Sequence, residues 1–347
     1  MFSTKKVMVA TMTTILALGA LVPVADAAGV KSASKSYQTG KQKKAYTYAK
    51  KMLKQNKDGL TTKGKMFSTA YPTTGAASGY SDFLLGLKKQ GYKFTKSQKK
   101  LVKKNLVVST KSDPATLATA IIGLQAIGVN PTKYKPAGAK KSLNLVNTLY
   151  KKSMTKQTVN VQSQTLIAVS SNKTFKKPSK AAFSKTSLSK RIAKNQQSNH
   201  GWAYNNTVAS VDSDTTAMAV TALGMGKSHN GVVTKAAKQG RNYLKKNIYK
   251  SGAFGYTYNG KENPNANSTA EAIIALSTNK ATAKLINQKA IKSAQKATPL
   301  RNMLGYVQHA GTIKGAYSMT LAYGQVSVAM AAYHNGKYTN KFVYQFK

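Results

Sequence analysis

Apolar and small residues in this chain gather in runs that leave no polar face. Residues 113–124 read DPATLATAIIGL, residues 212–223 DSDTTAMAVTAL and residues 265–276 NANSTAEAIIAL. In each, polar residues crowd the head and Ala, Ile, Leu and Thr follow on most sides, as in a helix buried all round. Set in register, Thr216 falls on Thr269, Ala217 on Ala270, Ala219 on Ala272, Ala222 on Ala275 and Leu223 on Leu276. Upstream, Asp212 lies opposite Asn265 and Asp214 opposite Asn267, and Asp113 shares the first of these places. Weaker copies are GYSDFLLGL (79–87), NVQSQTLIAV (160–169) and AYGQVSVAMAAY (322–333). The last apolar residue of each copy falls at Leu87, Leu124, Val169, Leu223, Leu276 and near Met330, so one helical unit recurs six times.

Lys-rich stretches separate the copies, and each carries a narrower apolar stripe. Residues 41–55 place Ala45, Tyr48, Ala49 and Met52 on one side; residues 139–152 place Leu143, Val146, Leu149 and Tyr150; residues 233–249 place Val233, Ala236, Ala237, Gly240, Tyr243 and Leu244. Spacings of three and four mark amphipathic helices with one buried face. The unit is therefore a hairpin of one wet outer helix and one dry inner helix. Such hairpins stack as an open solenoid or close into a ring. The terminal copies show no distinctive polar cap, which favours the ring: an all-α, α/α toroid of about six hairpins with an inner and an outer barrel. Gly–aromatic loops, GWAY (201–204), GAFGY (252–256) and GAY (315–317), precede inner helices. No composition shift divides residues 41–347, which read as a single domain after a flexible Lys/Ser-rich leader at 28–40.

Composition then sets the compartment and the partners. Lys5 and Lys6, an apolar stretch from Val7 to Val24 and the close at Ala25–Ala27 form a secretory signal peptide over residues 1–27. The chain is thus expected to be secreted and extracellular. Cysteine is absent, so disulfides and thiolate sites are excluded. The 55 basic residues against 8 acidic ones leave a net charge of +47, and Arg191, Arg241 and Arg301 are the only arginines. Lysine is a hydrated point charge, whereas base-specific reading favours arginine forks, so sequence-specific nucleic-acid binding is not expected. The partners this charge implies are anionic cell-wall polymers of teichoic-acid type or acidic polysaccharides, with the protein retained on the cell surface.

The repeats GWAY…DSDTTAMAVTALG and GAFGY…NANSTAEAIIAL resemble those of the α/α-toroid superfamily. That group takes in terpenoid cyclases, protein prenyltransferase β-subunits and cobalamin carriers. GYSDFLLGLKKQGY and DPATLATAIIGLQAIGVNP look closer to bacterial exported cell-surface proteins with transcobalamin-like repeats. The likeness to cyclases implies an Asp-x-Asp-Asp-Thr-Ala motif whose central aspartate protonates an alkene. Asp212 then takes its first position and Asp214 the acid, while Thr215 stands where the third aspartate would be. The likeness to carriers implies a corrinoid ligand, although the carriers' C-terminal β-domain has no counterpart here.

Weighed on residues, enzymatic activity is not expected. A carbocation needs a densely aromatic cavity, and the chain has one Trp and nine Phe. The only close acidic pair, Asp212/Asp214, lies on one segment, where two carboxylates cannot flank a substrate. No His spacing points to a metal, and no cofactor is expected. Asp and Asn ahead of inner helices are what N-caps require, and Asp113, Asn160, Asp212, Asp214, Asn265 and Asn267 all stand there. The reading is a surface binding or adhesion protein with a glycan or small-ligand site at an aromatic mouth. Its candidate residues are Trp202, Tyr204, Asp212, Asp214, Phe254, Tyr256, Tyr258, Asn265 and Asn267.

Overall fold

The structure is a computed structural model that describes residues 29–55, 76–136, 139–205, 207–258 and 261–346. The signal-peptide segment 1–27 lies outside them. Six inner helices arise where the dry runs were read: α2 (Ala76–Lys89), α4 (Pro114–Ala126), α6 (Val159–Ser170), α8 (Ser213–Gly226), α10 (Ala266–Leu276) and α13 (Met319–His334). Outer helices alternate with them: α1 (Lys35–Gln55), α3 (Lys96–Asn105), α5 (Leu145–Tyr150), α7 (Lys185–Lys194), α9 (Gly231–Lys246), and the pair α11 (Lys280–Leu285) and α12 (Pro299–Gly305). Each inner helix packs on the next, and α13 packs on α2, so the ring closes.

Closure depends on small residues. A methyl group added at Gly324 of α13 would run into the backbone of Asp82 and Phe83 on α2, and one at Gly86 of α2 would press, less tightly, on Ser327 and Gly324. The core is one continuous shell of apolar side chains between the two layers, with Leu84, Leu117, Leu166, Val220, Ile273 and Val328 among its fully buried members.

Residues 28–40 were expected to form a free leader, and most of them do not. The Ala33 N–H donates to Asn287 Oδ1 at 2.7 Å, Lys31 bridges Ala297, and residues 35–40 are the first turns of α1. Residues 139–152 give a helix of only six residues, because Tyr134 and Leu143 pair as an isolated bridge and delay its start. Short strands also enter the all-α plan. β1 (Trp202–Ala203) pairs with β2 (Val211–Asp212), and β3 (Phe254–Tyr258) with β4 (Lys261–Asn265), both antiparallel.

These ribbons explain the Gly–aromatic loops. The Trp202 N–H donates to Thr216 Oγ1 at 2.9 Å, and the Phe254 N–H to Thr269 Oγ1 at 3.0 Å, the same hook in successive units. Trp202 Nε1 donates to Ile192 O at 2.7 Å, and its ring lies where any side chain on Gly240 would sit. Trp202 and Phe254 are both fully buried. They are core residues that fasten outer loops to inner helices, where the sequence reading places them on an aromatic rim.

The segment 340–346 closes one end of the ring. Val343 and Tyr344 are buried, and the Phe346 N–H donates to Ser171 O, just beyond α6, at 2.8 Å. Lys341 to Tyr344 line one small pocket together with Met225 of α8, Ile274 of α10 and Ala332 of α13. The ring is thereby floored at the C-terminal ends of its inner helices.

Removing the indole should show how much depends on it. Trp202→Ala is expected to cost about 3–5 kcal/mol of stability, the range for emptying a large aromatic site, read by urea unfolding of the purified chain.

Candidate functional site

Positions three and four apart share one face of a helix, and the repeat carries that face around the ring. Five residues before the last apolar residue of each copy stand Asp82, Thr119, Gln164, Met218, Glu271 and Gln325. All six line a central cavity of about 310 Å³, one from each inner helix. Four residues nearer the mouth, Asn160, Asp214, Asn267 and Leu321 form a second level; Ile122, Ile167 and Thr221 lie below, and Tyr344 forms the floor.

The sequence-predicted residues divide on this geometry. Asp212 and Asn265 are N-caps, accepting from Thr215 N at 2.6 Å and Ser268 N at 2.8 Å, and Asp113 caps α4 by accepting from Thr116 N at 2.9 Å. Thr158, not Asn160, caps α6. Asp214, Asn267 and Asn160 face the cavity instead. Tyr204 and Tyr256 are exposed on the ribbons, away from the cavity lining, and Tyr258 ends β3 opposite Lys261. Of the nine, Asp214 and Asn267 line the cavity.

Two acids that the sequence reading passed over complete the site. Asp82, Asp214 and Glu271 retain some surface, on the cavity side, while protein surrounds them otherwise. Burial is the main cause that raises each proton affinity, since a charge held away from water is disfavoured. The Asp82 carboxyl is pushed up to about 7 by burial alone. Glu271 is pushed up to about 8 by burial and then by Asp82 and Asp214, against the Gln325 hydrogen bond. Asp214 rises to about 6, again by burial first; Ser268 opposes that rise and Asp212 adds to it. Among the described residues, no three His, Cys, Asp or Glu side chains are grouped to hold a metal ion.

Hydrogen bonds orient these acids. Asn265 Nδ2 donates to Ser268 Oγ at 3.0 Å, which leaves the Ser268 hydrogen for Asp214 Oδ2, also at 3.0 Å. Asn267 donates to the Gln325 carbonyl, and Gln325 Nε2 donates to Glu271 Oε1 at 2.8 Å. With Oε1 occupied as an acceptor, the Glu271 proton belongs on Oε2. Burial, with Asp82 and Glu271 nearby, raises the Tyr344 hydroxyl well above its usual value, so it stays protonated as a donor.

No family model matches the chain, and no curated protein matches it. Solved structures do. An apo point variant of the type II terpene cyclase MstE from Scytonema superposes with a TM-score of 0.53 at 11% identity, covering 87% of this chain and 97% of that one. Apo MstE gives 0.52 and 11%, covering 86% and 99%. Another point variant, in complex with its substrate geranylgeranyl dihydroxybenzoate, gives 0.52 and 11%, covering 87% and 98%. The fold is thus an α/α toroid of the terpenoid-cyclase kind. The expectation of a protein without enzymatic activity is corrected by these neighbours, which are enzymes, one with substrate in place.

The raised proton affinities carry a prediction for stability. A carboxyl that binds its proton more tightly folded than unfolded stabilises the fold at low pH and loses that contribution as pH climbs through the folded value. For Glu271 the window runs from about 4.5 to about 8. Glu271→Gln should therefore melt a few degrees above the parent at pH 9 and close to it at pH 5, measured by thermal unfolding across pH.

Proposed function

We propose that the chain is an enzyme working by acid catalysis inside the central cavity of a cyclase-like toroid, with Asp214 as the proton donor. The observation that carries this reading is the convergence of three carboxyls of raised proton affinity, from three helices, on one cavity whose lining, among the described residues, includes no cation. Asp214 occupies the place of the acid in the cyclase motif, and its environment favours the protonated form needed before transfer. When the proton passes to the substrate, the carboxylate left behind keeps the Ser268 hydrogen bond, which steadies its charge. Glu271 and Asp82, further around the ring, are placed to take up or return a proton as the substrate collapses to product.

The test is turnover with and without that acid. Purified protein incubated with prenyl substrates and with small oxygenated ones, read by mass spectrometry, should convert at least one. Asp214→Asn should lower kcat by about 10²–10⁴, the range for a general acid, with Asp212→Asn affecting stability more than rate. Full activity in Asp214→Asn overturns the assignment.

We further propose that the lysine coat holds the protein on anionic wall polymers of teichoic-acid type or on acidic polysaccharides. Its support is the +47 charge and the spread of lysine over outer helices such as α1, α3 and α9. No helix among the described residues is long and apolar enough to cross a membrane. Screening collapses such attraction, so washing cells or isolated walls in ~1 M salt should release the protein. Protein that stays bound in that wash overturns this partner.

A further inference from the structure

The wall facing the acids carries polar side chains among apolar ones. Acids and their relay occupy α8, α10, α13 and α2, and across the cavity α4 and α6 offer Thr119, Asn160 and Gln164. Two atoms of this lining, Asn160 Oδ1 and Thr221 Oγ1, are buried without a hydrogen-bond partner. Thr221 itself is 3% exposed. A buried polar atom left unpaired costs stability, and a ligand hydroxyl that reaches these two supplies the missing partner. Ile122, Ile167, Met218 and Leu321 supply apolar patches between the polar groups. Among the described residues, only one aromatic ring, that of Tyr344, is part of the lining.

We propose that the central cavity binds a small polyhydroxylated ligand of sugar size, its hydroxyls donating to Asn160 Oδ1 on α6 and Thr221 Oγ1 on α8 and meeting the carboxyls of Asp82, Asp214 and Glu271. Hydroxyl groups both donate and accept, which matches a wall of carboxyl, amide and hydroxyl groups better than an ammonium or a hydrocarbon does. The C–H faces of a sugar ring suit the apolar patches. A volume of about 310 Å³ lies at the lower end of small-molecule sites. The inference rests on the acid-catalysis reading only in treating this ligand as the substrate; the binding itself does not require it.

Binding is measured on the wild type and on Asp214→Asn, by calorimetry and thermal shift, with a panel of neutral mono- and disaccharides and with farnesol as the hydrocarbon counterpart. At least one saccharide is expected to bind both proteins and raise their melting temperature, and farnesol to bind neither. Thr221→Val and Asn160→Leu should each weaken saccharide binding about tenfold, the loss of one or two hydrogen bonds, while the empty protein melts at the same temperature or higher. That last readout separates a ligand-binding role from a structural one. No saccharide binding at ~10 mM, a strength below the usual specific range, overturns the proposal. So does preferred binding of farnesol, or a clear fall in the melting temperature of empty Thr221→Val. Saccharide binding that survives in an Asp214→Asn protein with unchanged turnover would leave this inference standing and remove the acid assignment.

Discussion

Everything particular to this molecule depends on holding carboxyl groups where water can hardly solvate their charge. The ring of six dry helices makes such a place, and the repeat decides what faces it. One position per unit points inward at the middle level, and it is filled by Asp82, Thr119, Gln164, Met218, Glu271 and Gln325 in turn. Because helix geometry is shared, changing the residue at that position changes the chemistry without changing the backbone. Desolvation then does the rest, lifting all three carboxyls toward or past neutrality. The apolar shell between the barrels is what makes so unfavourable a centre tolerable.

The fold was legible because dryness is a strong signal. Runs such as Ala217–Leu223 have no wet side, and six of them at matching register leave few arrangements besides a closed ring. The site was only half legible. Asp212 and Asp214 were read as the same kind of residue, since both precede a helix and both return as Asn in the next unit. They lie two residues apart, however, which is about 200° around a helix, so a residue that caps at 212 forces its neighbour at 214 to face elsewhere. That elsewhere is the cavity. Asp82 and Glu271 carried a usable sign: each is a lone charge inside an otherwise dry run, at the same place in the repeat.

The aromatics misled for the opposite reason. Gly–aromatic loops beside Asn and Asp look like a ligand rim, yet Trp202 and Phe254 are buried at matched positions and held by Thr216 and Thr269. Those threonines align in the sequence, and a conserved pairing between a loop amide and an inner-helix hydroxyl within one chain speaks for architecture. What the loops display outward is Tyr204 and Tyr256, neither of which is part of the cavity lining.

The sharpest contrast in the molecule is between its outside and its inside. A chain with a net charge of +47 would be expected to hold every carboxylate ionised, because each added positive charge lowers the proton affinity of an acid in reach. For Asp82, Asp214 and Glu271 the resolved causes are burial, other carboxyls and hydroxyl or amide hydrogen bonds, with no lysine among them. Outer helices such as α1, α3 and α9 carry lysines into solvent, where water and salt screen them, and among the described residues no lysine lines the cavity. Two layers of helix thus keep an attractive surface for polyanions and a proton-holding interior from cancelling one another. A single-layered fold of the same composition would have no means of separating them.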